Sequence, residues 1–361
     1  MTENLSVTPR IRTIGKKERS DEWWDRDVLR TYDKDQWLQD FRMDRQTFFK
    51  LVDFVREEMD VVATSAEYRV VGKGFGVAKS TVCVYVHEFC KTLIATQIRS
   101  LLSWPNHEEC IIISNSFENK YGLPNIIGVI DGTHIPIAPP KDGAADFHNR
   151  KGYSSFVVQA VVDDKLLFRD ITAQHPGCTH DAAVLRESHL YHNHDKMIPR
   201  TERLIDGVYN ADESRYFHLP YYIISDPAYP LSNWIMKDYV NEQTDEEVSF
   251  NLYLNKARIV VEHAFGRLKG RWRILYKKSD LDVYKMPHVI ITCCILHNYV
   301  EMSKQPYLVN WNIRRIEGEN QFLQPEPDIR EVRDNNIDGN VMRDQLCNYM
   351  ARHFPLLYRG D

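Results

Sequence analysis

Three short runs decide how the middle of the chain folds: NIIGVIDG at residues 125–132, SSFVVQAVVDD at 154–164 and LLFRDITAQ at 166–174. Each is a brief cluster of β-branched and large apolar residues set off by turn-forming residues, a pattern that predicts three consecutive strands. A helix is predicted next, over about 181–190, with Thr179 or His180 near its cap. YYIISDPAYP (221–230) then reads as another short buried strand, and a helix-rich tail follows. Three strands, a helix, a strand and more helix describe an α/β domain with helices packed on a mixed sheet.

Upstream the texture is helical. In WLQDFRMDRQTFFKLVDFVREEM (37–59), Trp37, Phe41, Phe48, Leu51, Val52 and Val55 recur at near-helical spacing and predict one or two amphipathic helices. In EYRVVGKGFGVAKSTVCVYVHEFCKTLI (67–94), Gly74 and Gly76 mark a turn, Ser80 suits an N-cap, and Val82, Val86, Phe89 and Leu93 form a stripe. Helix, glycine turn and helix outline a helix-turn-helix, whose second helix could enter a major groove, although a packed helical hairpin has the same outline. Residues 1–35 mix charges with little periodicity apart from Trp23 and Trp24. The division expected is therefore an N-terminal extension (1–35), a small helical module (36–118), the α/β domain (119–305), and an acidic C-terminal segment with a terminal helix (306–361).

A chain of 361 residues, 43% hydrophobic, suits one large domain with a smaller flanking unit. The polar N-terminus carries no apolar signal core, and the absence of a long apolar run predicts no membrane span. Seven cysteines, an odd number without a CxxC pair, argue against a disulfide framework or structural zinc and for a reducing compartment. The net charge of −5 conceals an asymmetry: residues 256–278 hold eight Lys/Arg against one acid, whereas 313–344 hold eight acids against five bases. Binding to a phosphate backbone would therefore be local.

Two aspartates end apolar runs, Asp131 after IIGVI and Asp226 after YYIIS. A carboxylate at the end of a buried strand is fixed by the sheet yet open to ligand, which suits it to a hard cation; Asp-Gly and Asp-Pro are also ordinary turn openers. In NKARIVVEHAFGRLKGRWRIL (255–275), Ala257, Val260, Val261, Ala264, Phe265 and Leu268 define one buried helix stripe. Glu262 borders that stripe on the flank of Arg258, Gly266 and Lys269, and could equally be an i, i+4 partner of Arg258. Three such acids, two on strands and one on a helix, could hold two Mg²⁺, or Mn²⁺ in their place, roughly 3.5–4 Å apart for phosphodiester chemistry. Asp181 competes for a metal position or serves as an early-helix acid favoured by the helix dipole. His134 and His180 could position water or phosphate or be structural. Arg267, Lys269, Arg271 and Arg273, with Trp272 among them, could contact DNA or form a solvated basic helix end. Cys293, Cys294 and His297 are expected in the core.

The strings GVIDGTHIPI (128–137), VVQAVVDDKLLFRDI (157–171), HPGCTHDAAVLRES (175–188), IISDPAYPLSNWIMKDY (223–239), ARIVVEHAFGRLKGRWRIL (257–275) and CCILHNYV (293–300) resemble, in order, the blocks of the Harbinger transposase and Harbinger-derived nuclease family. The resemblance covers roughly residues 120–300. It implies a ribonuclease-H-like fold, a mixed sheet flanked by helices, with a DDE triad falling on Asp131, Asp226 and Glu262; 35 residues separate the last two. It also implies a separate Myb-like DNA-binding partner that aids nuclear import, and hence a nuclear protein with a cytoplasmic pool; whether the chain forms a homo-oligomer stays open. One departure stands out: VREEMDVVATSAEYRVV (55–71) passes in a few residues over a place where the family carries a further helical segment. The expected function is metal-dependent DNA cleavage. A binding factor that keeps the fold without cutting is the alternative, and a phosphatase using Asp131 lacks the usual acid two residues later.

Overall fold

The computed structural model describes residues 23–56, 79–201, 203–206, 216–326 and 336–359. The chain divides into two compact units, Met1–Phe89 and Cys90–Asp361. In the first, helices α1 (Lys34–Phe41) and α2 (Arg45–Arg56) form where the apolar spacing predicted them. Asp33 opens α1 with a reciprocal cap, its carboxylate accepting from Gln36 N while the Gln36 side chain accepts from Asp33 N. The interior of this unit is aromatic: the Trp37 and Phe41 rings stand 4.6 Å apart and Phe41 and Phe48 4.9 Å apart. Trp24 lies edge-on to Trp37 at 6.2 Å. Residues from Trp23 to Thr31, within the expected N-terminal extension, are helical. The expected glycine turn at Gly74 and Gly76 lies outside the described residues, as does most of 55–71; α3 (Lys79–Leu101) begins beyond it.

The second unit is built on a five-stranded mixed sheet. After α4 (His107–Tyr121), capped by Asn106, the chain forms β1 (Ile126–Pro136), β2 (Ser155–Val162) and β3 (Phe168–Pro176). The expected single helix after β3 is two, α5 (Asp181–Glu187) and α6 (His189–Met197). Ser188 breaks them: its backbone is extended, its hydroxyl donates to Leu185 O at 2.6 Å and accepts from Tyr191 N at 3.1 Å, ending one helix and capping the next. A small hairpin of β4 (Leu204–Asp206) and β5 (Tyr216–His218) precedes β6 (Tyr222–Ile224) and β7 (Ile235–Met236). The sheet order is β3-β2-β1-β6-β7, with β2 antiparallel to both β1 and β3, and β6 and β7 parallel to β1. This is the arrangement of a ribonuclease-H-like fold.

Both sheet faces are covered, which is why β2 is buried along its whole length instead of alternating. Ile130, Val161 and Ile223 meet Leu185, Leu190 and Trp234 on one side. On the other side lies α7 (Asp245–Arg271), about 40 Å long at 1.5 Å per residue, which packs on β1 and β2 through the stripe of Ala257, Val260, Val261, Ala264 and Leu268. α8 (Met286–Met302) is apolar almost all round and buries Cys293, Cys294 and His297 as expected. Its Asn298 pairs with β3, the amide oxygen accepting from Phe168 N at 2.8 Å and the nitrogen donating to Phe168 O at 2.7 Å. α9 (Val309–Glu319) and α10 (Ile337–His353) both pack on α7. All seven cysteines are free, and no described helix is long and apolar enough to cross a membrane.

The C-terminal end of α7 is bound by buried charge. Arg271 is fully buried, stands 3.7 Å from Glu301, donates to Pro306 O and lies 4.9 Å from the Trp311 ring centroid. Arg267 pairs with the same Glu301 at 2.7 Å. Removing one partner of a buried pair leaves the other charge uncompensated, so Arg271→Ala should cost about 3–5 kcal/mol, whereas Arg273→Ala on the exposed turn beyond should stay within about 0.5 kcal/mol. Urea unfolding of the two variants checks both values.

Candidate metal and nucleic-acid site

The pairing of β1 sets the site. Val129 pairs with Ile224 of β6, and Asp131 and Asp226 each stand two residues beyond that rung. Adjacent strands lie about 4.8 Å apart, so equal offsets along parallel neighbours bring the two carboxylates to one edge. β1 does not turn at Asp131-Gly132 as an Asp-Gly turn would; it runs on to Pro136 because β2 continues beside it through the rung His134↔Val157 and beyond. Asp226 leaves β6 into a turn, its carboxylate accepting from Ala228 N at 3.1 Å. Asp131 accepts from Gly132 N at 2.7 Å.

Alternation along β1 sends Asp131 toward α7 and Gly132 toward α5. On the α5 side a Cβ at residue 132 would stand only 2.6 Å from Asp181 Oδ1, so glycine makes room for a third carboxylate. Asp181 is the first residue of α5, where the helix dipole favours an acid. Burial raises the Asp131 carboxyl to about 8, with Asp226 and then Asp181 adding repulsion against the relief of Arg258. Burial likewise lifts Asp226 to about 6, with Asp181 again adding to it. Asp181 is itself raised by burial. Tyr229, fully buried, feels all three aspartates, and its hydroxyl has no hydrogen-bond partner among the described residues.

Glu262 stands differently. It is exposed on α7, between Arg258 and Lys269, both of which act electrostatically on Asp131. At 100° per residue, positions 258, 262 and 269 share one flank of the helix, so the backbone faces Glu262 toward the aspartates while its side chain lies in solvent. Arg258 donates to Asn255 at 2.9 Å. Among the described residues no three His, Cys, Asp or Glu side chains converge closely enough to hold a metal ion as they stand. The donors still suit a hard dication: they are carboxylate oxygens, they repel one another when ionised, and a buried phenol hydroxyl beside them lacks a partner.

His134 is engaged elsewhere. Its Nδ1 lies 2.8 Å from Ser155 Oγ, which also accepts from Asn149 at 2.9 Å, and burial with Lys269 and Arg150 lowers the ring to about 4. The basic segment also departs from its expected use. Lys269 is buried with Nζ 3.2 Å from Glu319, Arg271 is held by Glu301, and Trp272 is buried, so these three are structural ties and not a surface for DNA. Arg267 pairs with Glu301, and of these five residues Arg273 alone is exposed.

Sequence reasoning missed three contributors. Tyr229 sits in the DPAY turn, where it reads as ordinary turn packing; Arg258 reads as a helix-surface pair for Glu262. Gln324 had no signal at all, lying 190 residues from its partner: its amide oxygen accepts from His134 N at 2.7 Å and Thr133 Oγ1 at 3.0 Å, and its nitrogen donates to His134 O at 3.2 Å.

An acid whose folded pKa exceeds its unfolded value keeps a proton that the unfolded chain has lost, so stability falls as pH rises between the two values. For Asp131 the window runs from 3.8 to about 8. The metal-free protein should melt several degrees lower at pH 8 than at pH 5, Asp131→Asn should flatten that dependence, and Mg²⁺ should restore stability at pH 8 only in the wild type. Thermal melts at both pH values check this.

Residues 130–298 match the family model described as DDE superfamily endonuclease. Among curated proteins, the chain is 33% identical over 235 residues to the Arabidopsis thaliana protein Antagonist of Like Heterochromatin Protein 1, covering 64% of this chain and 57% of that one. It is 29% identical over 306 residues to an Arabidopsis thaliana protein named ALP1-like, covering 78% and 67%. The Homo sapiens protein named "Putative nuclease HARBI1" is 23% identical over 296 residues, covering 81% and 77%. The chain thus spans a little over half the length of the first of these relatives. No solved structure matches. The domain match, these relatives and the sheet order agree with the sequence blocks: residues 130–298 form a domain similar to the DDE superfamily endonucleases, and the chain's homologues are Harbinger-type, transposase-derived proteins.

Proposed function

We propose that the protein is a divalent-metal-dependent endonuclease that hydrolyses DNA phosphodiester bonds, with Asp131, Asp226 and Glu262 as its metal-holding residues. The observation that carries this reading is the pair of buried, proton-hungry aspartates two residues past the shared rung of β1 and β6, gathered around the unpartnered Tyr229 hydroxyl. Two bound Mg²⁺ ions, or Mn²⁺, would activate the attacking water and take up charge on the leaving 3′ oxygen. The chain's own residues supply the frame. The sheet fixes Asp131 and Asp226, Gly132 N and Ala228 N orient their carboxylates, and Arg258 offsets part of their repulsion. Glu262 joins by turning its long side chain inward from the α7 flank. The endonuclease unit is proposed to be residues 119–305, with the helical module (36–118) and the acidic C-terminal segment (306–361) as accessories.

A second reading, a domesticated factor that binds without cutting, has one observation in its favour: Glu262 is exposed on α7, and among the described residues no three His, Cys, Asp or Glu side chains converge on a metal site. The name of the Arabidopsis relative describes an antagonist of a heterochromatin protein, and such a role would make a chromatin protein the partner here. The Myb-like partner, a nuclear site of action with a cytoplasmic pool, and self-association are carried forward as parts of the proposal.

Purified protein with Mg²⁺ or Mn²⁺ should nick or cut supercoiled and linear DNA, and Asp131→Asn, Asp226→Asn and Glu262→Gln should each lower the rate at least a hundredfold while remaining folded. Cleavage that survives all three substitutions, or a folded wild type that binds DNA and never cuts it in either metal, would sink the nuclease reading and favour the second.

A further inference from the structure

A groove of about 320 Å³ lies between α9 and the turn Arg273–Leu275 that follows α7. Arg273, Lys277 and Arg314 line it, Tyr276 and Gly318 form its floor, and Glu317 is the acid among its lining residues. A side chain at Gly318 would run into the Tyr276 ring, so glycine keeps the helix close over the aromatic floor. All three cations are exposed, and none makes an ion pair with a described residue. Their neighbours contrast sharply: Arg267 and Arg271 both pair with Glu301, and Lys269 and Arg315 both pair with Glu319. The fold consumes the inner bases of this segment and leaves the outer ones free.

Exposed Lys and Arg are commonly just solvated. Here they converge on a concavity, and both walls of that concavity are tied to the end of the strand that carries Asp131. On one wall, Ser279, two residues after Lys277, donates from its N to Pro136 O at 3.1 Å and accepts from Ala138 N at 2.6 Å. On the other, Gln321 lines the groove, and Gln324, about 10 Å further along an extended chain, is hydrogen-bonded to His134.

The geometry points to this groove as a seat for the DNA backbone, taking adjacent phosphates of the duplex that flanks the bond held at Asp131. The choice of DNA among polyanions rests on the nuclease reading. Arg273 and Arg314 present planar donors for phosphate oxygens, Lys277 adds a point charge, and Glu317 limits affinity for the wrong register.

The test is fluorescence anisotropy of the full chain with a short labelled DNA duplex in EDTA, over a series of salt concentrations, so that binding is read without cleavage. The triple variant Arg273→Ala, Lys277→Ala, Arg314→Ala should bind at least about tenfold more weakly, and its log–log salt slope should shrink by about 3, near 0.9 per lost phosphate contact. Glu317→Gln should bind a few-fold more tightly, a gain that a merely structural role would not produce. Wild-type affinity and slope in the triple variant overturn the groove, as does a wild type that binds no duplex or prefers RNA duplex of the same sequence. Metal-dependent cleavage that needs Asp131 but is indifferent to the triple variant also overturns the groove while sparing the nuclease reading. Salt-sensitive binding lost in the triple variant, with no cleavage in any metal, supports the groove and fails the nuclease reading alone.

Discussion

The site depends on a single departure in strand pairing. β6 flanks β1 from Ile126 to Val129 and β2 flanks it from Val129 to Pro136, so the two neighbours overlap only at Val129; beyond the rung Val129↔Ile224, β6 peels away into the turn at Asp226. The gap opened by that separation is where Asp131 and Asp226 stand. Were β6 to continue, a ladder of backbone hydrogen bonds would close the gap and the two side chains would project from a continuous sheet. The parallel direction matters as much, since equal offsets from a shared rung bring like positions together only when the strands run the same way.

Crowding carboxylates at that gap works against stability, and the surroundings relieve only part of it. Gly132 N and Ala228 N each donate one hydrogen bond, and Arg258 lends charge from α7. A fold under no demand other than packing would place an apolar or amide side chain at these positions. The retained repulsion is the kind of local conflict expected where a site is kept for its chemistry. A buried base a short distance away, Arg271, is treated in the opposite manner, matched to an acid and an aromatic ring.

Much of this was legible in the sequence. The three strand runs, the strand at Tyr222 and the long helix carrying Glu262 follow from runs and periodicities that the structure keeps, and the order of motif blocks identified the ribonuclease-H-like sheet. The break at Ser188 was not legible, because a serine in a polar helical stretch reads as tolerated surface until its hydroxyl is seen serving both helices. Nor could composition separate Arg271 from Arg273: two residues apart in one basic run, one faces Glu301 in the interior and the other solvent, and only the position where α7 ends decides which. The paired aspartates were found one at a time, but their common register was not, since it depends on a partner strand nearly a hundred residues away.

The two carboxamides that read backbone have a further consequence. Asn298 satisfies both the N–H and the C=O of Phe168 on β3, and Gln324 does the same for His134 on the stretch of β1 that β6 has left. An open strand edge is a template on which another chain can add itself and propagate aggregation. A side-chain amide imitates a single peptide unit: it occupies the edge as a strand would, yet offers no next rung. The sheet can thus leave a gap in its middle for chemistry without presenting that gap as an adhesive border.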